Sequence, residues 1–367
     1  MIKFVDLWRA HEPLWPRMSS AIESVVKRSA FILGGEVKSF EEEFAAYCGT
    51  KHAVAVDNGT SALELSLRAL GVGPGDEVIV PAMTFVATAS SVVMVGAKPV
   101  MADVDPETYT IDPEKALGKV TPRTKAVIPV HLYGFAVDAS SLVEASRGRF
   151  FVLEDACQAH GAAAGGKRTG AAGAAGAFSF YPSKNLGCLG DGGMVTTQSG
   201  EVAAKIRMLR NYGEARKYEH LYVAYNRRLD GIQAAVLRLK LKFLDSWNEE
   251  RRKAADLYRE ALKGTELKLP PETEPGRHVY YVFAVLSHRR DRLAQFLGEK
   301  GIETGIHYPF PLHMLPLFKD LGLREGEFPV AERIGRETLS LPMYPGITAG
   351  EIGEVAAAIR EFERSGS

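Results

Sequence analysis

The sequence predicts an α/β protein in which a mostly parallel sheet lies between two layers of helices. Three observations indicate this fold. Short apolar runs alternate with helical segments from about residue 50 onward. These runs are continuously apolar, which is typical of strands that are buried on both faces of a parallel sheet. The chain has 367 residues, of which 46% are hydrophobic, and this is enough to bury a large core without disulfides or metals.

The first half of the chain carries most of the predicted sheet. Between its first two strands, Leu63, Leu67 and Leu70 fall on one helical stripe and Gly71 ends the helix. Further strand-like runs at 178–184 and 192–198 follow in a less regular order. The five strands predicted before these runs lie at 52–56, 77–81, 99–104, 125–133 and 150–155.

The second half of the chain has a different pattern. A long helix is predicted from about 230 to 262, and the segment 269–276, with three prolines and a glycine, interrupts the pattern. Because short strands and helices follow, we expect a smaller α+β domain there, and we place the large domain at 1–250 and the small one at 251–367. The predicted elements of this last part are strands at 278–286 and 302–307 and helices at 291–300 and 349–362.

Composition and charge exclude several classes of protein. The 45 basic and 45 acidic side chains balance, so nothing in the bulk charge attracts nucleic acid or an anionic membrane. The most apolar stretch, 85–97, is too short to cross a bilayer, and the N-terminus carries charges where a signal peptide needs an apolar core. Three cysteines form no even disulfide framework, so we expect a reducing, cytoplasmic location. Without paired C-x-x-C or H-E-x-x-H motifs, no metal site is predicted.

The end of the first predicted strand carries a possible anion site. Asn58, Gly59, Thr60 and Ser61 form a glycine turn that opens a helix. Free backbone N–H groups at a helix start, beside two hydroxyls, suit a phosphate. The alternative interpretation is an ordinary Ser/Thr cap of the helix.

Two other strand ends carry a carboxylate and an amine. Asp155 follows an apolar run and could pair with a cation or could cap a helix. Lys184 lies on a turn among small residues, where it could be a desolvated nucleophile or an ordinary solvated lysine. Ligands of parallel sheets bind at the carboxyl ends of the strands, so these groups should meet. Pyridoxal 5'-phosphate (PLP) has a phosphate, a ring nitrogen and an aldehyde, and would use all three.

The chain resembles the PLP-dependent nucleotide-sugar aminotransferases, which have the fold type I architecture of aspartate aminotransferase. The resemblance covers nearly the whole chain. It is carried by the ordered motifs NGTSAL, GVGPGDEVIVPAMTFVATA, EDACQAHGA, FSFYPSKNLG, DGGMVTT, NRRLDGIQAA and HYPFPLH. The implied fold is a large domain with a sheet of seven-stranded type and a smaller C-terminal domain.

The resemblance also implies roles for the matching residues. Lys184 is similar to the lysine that forms a Schiff base with PLP, and Asp155 to the partner of the pyridine nitrogen. The other implied cofactor contacts are Gln158 at the ring hydroxyl, Phe85 on the ring face, Gly59, Thr60, Ser61 and Ser179 at the phosphate, and Asn226 from the neighbouring subunit of a homodimer. The implied substrate contacts are His160, Tyr181, Lys217, His307 and Tyr308.

The resemblance implies transamination from L-glutamate to a nucleotide-linked keto-sugar. The segment 210–255 looks most like that of enzymes that aminate C3 of dTDP-3-keto-6-deoxyhexoses. Relatives that act at C4 more often have histidine in place of Tyr212. The alternatives are a UDP-linked 3-keto sugar, a 4-keto nucleotide sugar or a keto-cyclitol as acceptor. A non-catalytic regulator on the same fold is the alternative from another class.

Overall fold

The structure is a computed structural model that describes residues 1–274 and 276–365. A seven-stranded sheet forms its centre, with the spatial order β1-β9-β8-β5-β4-β2-β3. The strands of this sheet are β1 His52–Val56, β2 Glu77–Pro81, β3 Lys98–Ala102, β4 Thr124–Val127, β5 Phe151–Asp155, β8 Ala175–Ser179 and β9 Gly193–Thr197. The remaining strands form three two-stranded pairs: β6 Ala163–Ala164 with β7 Lys167–Arg168, β10 Glu214–Arg216 with β11 Glu219–His220, and β12 Phe283–Leu286 with β13 Thr338–Leu341.

The helices surround this sheet and complete the smaller C-terminal part. They are α1 Leu7–His11, α2 Trp15–Lys27, α3 Gly35–Cys48, α4 Gly59–Ala69, α5 Ala87–Met94, α6 Pro113–Leu117, α7 Ala139–Ser146, α8 Gly200–Leu209, α9 Gly231–Leu241, α10 Leu244–Ala261, α11 Arg290–Glu299, α12 Pro329–Glu337 and α13 Ala349–Ser365. Short 3₁₀ turns lie at Glu12–Leu14, Leu132–Gly134, Leu312–Met314 and Pro316–Leu321. Within the described residues, no helix is long and apolar enough to cross a membrane.

The sheet is buried on both faces, as its continuous apolar strands predict. In β1, Val54 and Val56 pack into the core that contains α4, whereas Ala53 and Ala55 pack into the core that contains α3. Successive side chains of a strand point to opposite faces, so both faces of β1 are covered. Because both faces are apolar, polar groups concentrate at the strand ends.

One strand of the seven-stranded sheet, β9, is antiparallel to its neighbours. β9 pairs antiparallel with both β1 and β8, while the pairs β5–β8, β4–β5, β2–β4 and β2–β3 are parallel. The connection from β8 to β9 contains no helix, and a parallel return would need a crossover of a dozen or more residues, usually helical. The chain therefore turns back directly, and this turn contains Lys184.

The structure departs from the sequence prediction in two long segments. The helix predicted over 230–262 is two helices, α9 and α10, separated at Lys242 and Phe243, where the Phe243 N–H bonds to the Lys240 carbonyl in a turn. The strand predicted at 302–307 is wrong, because only the isolated bridges of Ile302 to Ile2 and of Gly305 to Ser340 form there. In both cases long-range packing decides between conformations that the local pattern allows equally.

A separate apolar core lies in the C-terminal part. It comprises Ile2 and buried residues between 254 and 362, including Tyr258 and Phe283, whose rings stack with centroids 4.8 Å apart. The predicted division of the chain at residue 250 stays a prediction.

The buried carboxylate of Glu154 provides a test of what stabilises the sheet. It accepts hydrogen bonds from the Gly170, Ala172 and Gly173 amides at 2.8–2.9 Å and lies 3.0 Å from the His131 ring. Replacement of Glu154 by Ala leaves these donors unpaired in the core. We expect it to lower the free energy of unfolding by about 3–5 kcal/mol, measured by urea denaturation.

Glu354 on α13 is exposed and supplies the control. The Glu354→Ala variant should change stability by less than about 0.5 kcal/mol. Equal losses in the two variants would contradict the role assigned to Glu154.

Candidate active site

A cavity of about 770 Å³ opens at the carboxyl ends of the central strands. The strand ends of β1, β5 and β8, together with residues 307 and 308 from the C-terminal part, contribute to its wall. The predicted site residues that line it are Gly59, Thr60, Ser61, Phe85, Asp155, Gln158, Ser179, Tyr181, Lys184, His307 and Tyr308. The structure therefore brings together residues that are up to about 250 positions apart in the sequence.

The turn after β1 exposes backbone N–H groups at the start of α4. Asn58 is the cap of this helix, since its side-chain oxygen accepts from the Ser61 N–H at 2.8 Å. The interpretation of this turn as an ordinary Ser/Thr cap is thus wrong, because the hydroxyls of Thr60 and Ser61 do not cap the helix. They line the cavity beside the positive end of the helix dipole, an arrangement that favours an anion.

Gly59 is required by the close approach of two elements. A Cβ atom at this position would lie 2.7 Å from the Ser179 Cβ and 2.9 Å from the Cys157 Sγ, both shorter than real carbon contacts. Glycine therefore allows the α4 terminus to pack against the end of β8. As a result, the hydroxyl of Ser179 joins those of Thr60 and Ser61 at one wall of the cavity.

Asp155 is the last residue of β5, and only 5% of it is exposed. Its Oδ2 accepts from the Thr88 hydroxyl at 2.8 Å and its Oδ1 from the Cys157 N–H at 3.2 Å. No helix begins after Asp155, so the interpretation as a helix cap is wrong. The carboxylate is instead held at the cavity wall by a side chain from α5 and by its own turn.

Gln158 is fixed at both ends of its amide. Its oxygen accepts from the Tyr133 N–H at 2.8 Å, and its Nε2 donates to the Tyr308 hydroxyl at 3.2 Å. The Tyr308 ring lies 5.5 Å from the ring of Phe85, which is 49% exposed at the cavity. An exposed aromatic face beside buried polar groups suits a flat, polar ring.

Lys184 lies on the turn after β8, with its Nζ 4.1 Å from the centroid of the Tyr281 ring. Burial alone would raise the pKa of the Tyr281 hydroxyl. The positive charge of Lys184, with hydrogen bonds and the charge of Arg251, outweighs burial and leaves this pKa below its usual value. The lysine is thus close to a hydroxyl whose ionised form it stabilises.

His307 is neutral over the usual pH range. Burial, followed by the positive charge of Lys184, lowers the pKa of its ring to about 4. Its Nδ1 lies 2.9 Å from the Ser340 hydroxyl, and its ring stacks on Phe4 with centroids 5.6 Å apart. A neutral imidazole in the cavity wall can donate or accept a hydrogen bond without adding charge.

Three predicted site residues lie elsewhere. His160 is fully buried against Phe178 and Phe180, so the substrate contact predicted for it is not supported by its position. Lys217 and Asn226 are exposed and do not line the cavity of their own chain. A site that includes either residue needs a second subunit, as the resemblance implies for Asn226.

Several residues of the site have no clear signal in the sequence. Thr88 holds Asp155, and Tyr281 lies against Lys184. Arg227 also lines the cavity, where it forms an ion pair with buried Glu64. The run PAMTFVATAS could have revealed Thr88, since it lies three residues after Phe85 and so on the same side of a helical turn. Tyr281 lies in an ordinary apolar segment.

The comparisons with known proteins agree on one family. The model of the DegT/DnrJ/EryC1/StrS aminotransferase family matches residues 16–360. The chain is 46% identical to dTDP-3-amino-3,4,6-trideoxy-alpha-D-glucose transaminase of Streptomyces venezuelae, over 98% of this chain and 96% of that protein. It is 43% identical to UDP-N-acetyl-3-dehydro-alpha-D-glucosamine 3-aminotransferase of Acidithiobacillus ferrooxidans, over 98% and 97% of the two chains.

Solved structures have the same fold. That of S. venezuelae DesV in complex with a ketimine intermediate superposes with a TM-score of 0.95, at 45% identity and 98% coverage of both chains. That of NtdA from Bacillus subtilis with bound cofactor PMP (pyridoxamine phosphate) gives a TM-score of 0.87, at 31% identity, and covers 95% of this chain and 81% of that one.

The charge of Lys184 can be tested through its effect on His307. Replacement of Lys184 by Ala removes a positive charge that lowers the pKa of the His307 ring, so that pKa should rise from about 4. Titration of the histidine ring signals by NMR, with a His307→Asn variant for assignment, measures the change.

His278 provides an internal control in the same spectra. Burial and then Arg259 lower the pKa of this ring to about 3, and Lys184 has no part in that shift. Its titration should be the same in both proteins. If Lys184→Ala leaves His307 unchanged, the two side chains do not interact as the structure indicates.

Proposed function

The chain belongs to the DegT/DnrJ/EryC1/StrS aminotransferase family, as the match over residues 16–360 shows, and we propose its function on this basis. Two predictions are thereby confirmed: the chain is an aminotransferase, and its fold is that of the PLP aminotransferases. The cofactor predicted from the sequence agrees with the PMP form in which a structural neighbour has been solved.

The proposed reaction moves an amino group from L-glutamate to the 3-keto carbon of a dTDP-linked 3-keto-6-deoxyhexose. One observation carries this proposal: Lys184, Asp155 and the turn Asn58–Ser61 open onto a single cavity. An amine, a buried carboxylate and an anion site are the three groups that PLP requires. The name of the S. venezuelae relative supports a dTDP-linked acceptor aminated at C3.

The residues of the cavity fit PLP. The hydroxyls of Thr60, Ser61 and Ser179 suit its phosphate, and Asn58 rather than these hydroxyls caps the helix. Asp155 would hold the ring nitrogen and Gln158 the ring hydroxyl, while Phe85 would cover a ring face. When bound, PLP supplies an electron-withdrawing ring that stabilises negative charge at the substrate Cα.

Lys184 would move the proton. As a neutral amine it would take the proton from the substrate Cα as a general base and hold it at Nζ, from which it can be given back as a general acid. The ring of Tyr281 lies beside its amine. His307, Tyr308 and Tyr181 remain the candidate contacts of the sugar, because all three line the cavity.

A second acceptor class has its own support. The A. ferrooxidans relative, whose name describes a UDP-linked 3-keto sugar, is 43% identical, close to the value for the S. venezuelae enzyme. Both names describe amination at C3. The two candidate acceptors therefore differ in the nucleotide and in the substituents of the sugar. A 4-keto nucleotide sugar and a keto-cyclitol are the less supported acceptors. A non-catalytic regulator is the alternative from another class, because a relative from Geobacillus stearothermophilus that is 44% identical is named a pleiotropic regulatory protein. Lys184 and Asp155 at one cavity favour catalysis instead.

We also propose that the active enzyme is a homodimer. Apolar side chains are exposed in the segment that precedes Asn226, with Tyr218, Leu221 and Val223 among the most exposed. Exposed apolar patches of this kind mark interfaces. A second subunit packed here would bring Asn226 and Lys217 toward a cavity that they do not reach in their own chain. Free Cys48, Cys157 and Cys188 suit the proposed cytoplasmic location.

The role of Lys184 predicts the outcome of its removal. The wild-type protein with PLP should show the visible absorbance band of a lysine-linked cofactor, and L-glutamate should bleach it in favour of the pyridoxamine form. Lys184→Ala should lose the band and at least about 10³-fold in turnover, since it lacks both nucleophile and base. Lys253→Ala, at an exposed lysine on α10, should behave as wild type.

The acceptor is identified by a second step. The glutamate-treated enzyme is mixed in turn with dTDP- and UDP-linked 3-keto sugars, a 4-keto sugar and a keto-cyclitol, and return of the visible band marks the acceptor. Fastest return with the dTDP-linked 3-keto sugar supports the proposal. A bound cofactor that no acceptor and no amino donor changes would instead support the regulator.

Complementation between inactive subunits tests the shared site. Lys184→Ala and Asn226→Ala should each be inactive as homodimers, but a mixed dimer contains one complete site. An equal mixture should recover about one quarter of the wild-type activity, because half of the dimers are mixed and each has one of two sites.

Dimerisation itself is measured by analytical ultracentrifugation. Val223→Glu should weaken the dimer, whereas Val143→Glu, at a less exposed position on α7, should not. Recovery of no activity in the mixture, with dimers present, would contradict a site shared through Asn226.

A further inference from the structure

Two threonine hydroxyls connect the cavity wall with the carboxylate of Asp155. Thr88, in the first turn of α5, has no exposed surface, and its Oγ1 donates to Asp155 Oδ2 at 2.8 Å. Thr84, just before this helix, is nearly as buried and lines the cavity, and its Oγ1 lies 3.1 Å from the Oγ1 of Thr88. Three side chains, from the loop before α5, from α5 and from the end of β5, thus form one continuous hydrogen-bonded series.

The number of hydroxyl hydrogens determines which group donates in each of these hydrogen bonds. A hydroxyl has one hydrogen, and Thr88 gives its hydrogen to the carboxylate, which as an ionised group only accepts. The bond between the two threonines must therefore be donated by Thr84. Both donors point toward Asp155, and each strengthens the next by polarising it.

Two other hydroxyls of α5 donate to backbone carbonyls near their own position in the sequence. Ser90 donates to the Val86 carbonyl at 3.0 Å, and Ser91 to the Thr88 carbonyl at 2.9 Å. Such bonds to the preceding turn are the usual way in which a helix satisfies a buried hydroxyl. Thr88 could have bonded in this way as well. Its hydrogen goes instead to a carboxylate 67 residues away along the chain.

The consequence concerns the charge of Asp155. A hydrogen bond donated to a carboxylate stabilises its ionised form and makes it a weaker base. When a carboxylate that is a weaker base shares a proton with a hydrogen-bonded partner, the proton stays on the partner. The bond also fixes the orientation of the carboxylate, whose other oxygen is held by the Cys157 N–H.

We propose that Thr88, supported by Thr84, is a positioning residue that holds the carboxylate of Asp155 in the orientation in which the proton stays on the ring nitrogen of bound PLP. This inference rests on the proposed function, in which Asp155 holds that nitrogen. The ring draws electrons from the substrate only when its nitrogen is protonated. Thr88 would therefore set the strength of the electron sink without touching the substrate.

The experiment measures the protonation of the ring nitrogen directly. The holoenzyme is loaded with PLP that carries ¹⁵N in the ring, and the ¹⁵N chemical shift is recorded for wild type, Thr88→Val and Thr88→Ser. Valine keeps the shape of threonine but removes the donor, while serine keeps the donor. The double variant Thr84→Val/Thr88→Val leaves no unpaired hydroxyl in the core, so it provides a stable alternative if Thr88→Val alone does not fold.

We expect the ¹⁵N shift of Thr88→Val and of the double variant to move toward the value of an unprotonated ring, and that of Thr88→Ser to stay at the wild-type value. The rate of the glutamate half-reaction should fall about tenfold in the valine variants, because a hydrogen bond to a charged group is lost. A purely structural role would lower the melting temperature and leave the shift unchanged.

The possible failures are distinct. An unchanged ¹⁵N shift in valine variants that still bind PLP would overturn the role of Thr88 and leave the proposed function intact. A shifted signal in Thr88→Ser equal to that of Thr88→Val would also overturn it, since the hydroxyl would then not be the cause. A wild-type protein that binds no PLP would overturn the proposed function and this inference with it.

Discussion

The central sheet is buried on both faces, and this burial determines where the protein can place charged side chains. Successive side chains of β1 point to opposite faces of the sheet and pack into two different apolar cores. A strand covered in this way cannot place an unpaired charge along its length, because a buried charge without partners is very costly. The charged groups that are available to a ligand therefore lie at strand ends, and the cavity forms where several of these ends meet.

Two neighbouring carboxylates at the end of β5 differ in the number of hydrogen-bond donors that surround them. Glu154 and Asp155 are adjacent, so their side chains point to opposite sides of the sheet. Glu154 is enclosed by three backbone amides and by His131, which leaves no capacity for a ligand. Asp155 receives one hydroxyl and one amide, and it lines the cavity. The number of donors thus distinguishes a structural carboxylate from one that is available to a ligand.

The direct return from β8 to β9 gives Lys184 its position. Because β9 runs antiparallel to β8, the connecting turn stays at the edge of the sheet where β5 also ends. The turn is anchored from outside by Lys240 of α9, which donates to the Gly187 carbonyl and contacts the ring of His11 at 3.0 Å. Burial lowers the pKa of Lys240 to about 8, so this anchor is itself a titratable group in the core. The N-terminal segment, α9 and the lysine turn are thereby connected.

Local patterns in the sequence were sufficient to predict several strands and the residues of one site. The strands at 52–56, 77–81 and 150–155 lie within one residue of their predicted bounds, because a continuous apolar run ended by polar residues has few other solutions. The turn at Asn58, the carboxylate Asp155 and the amine Lys184 were predicted from strand ends and family motifs, and all line one cavity. Their chemical roles stay predictions.

Contacts between distant segments could not be predicted in this way, because they form only when the chain is folded. The division of the predicted long helix at Lys242 and Phe243, and the absence of a strand at 302–307 among the described residues, depend on packing partners that no local pattern contains. The same holds for Thr88 at Asp155 and Tyr281 at Lys184. A hydroxyl in a helical sequence can bond to its own backbone or to a remote carboxylate, and both fit the same local pattern. In the folded core the bond to the carboxylate is favoured, because a buried carboxylate without hydrogen-bond donors is very costly.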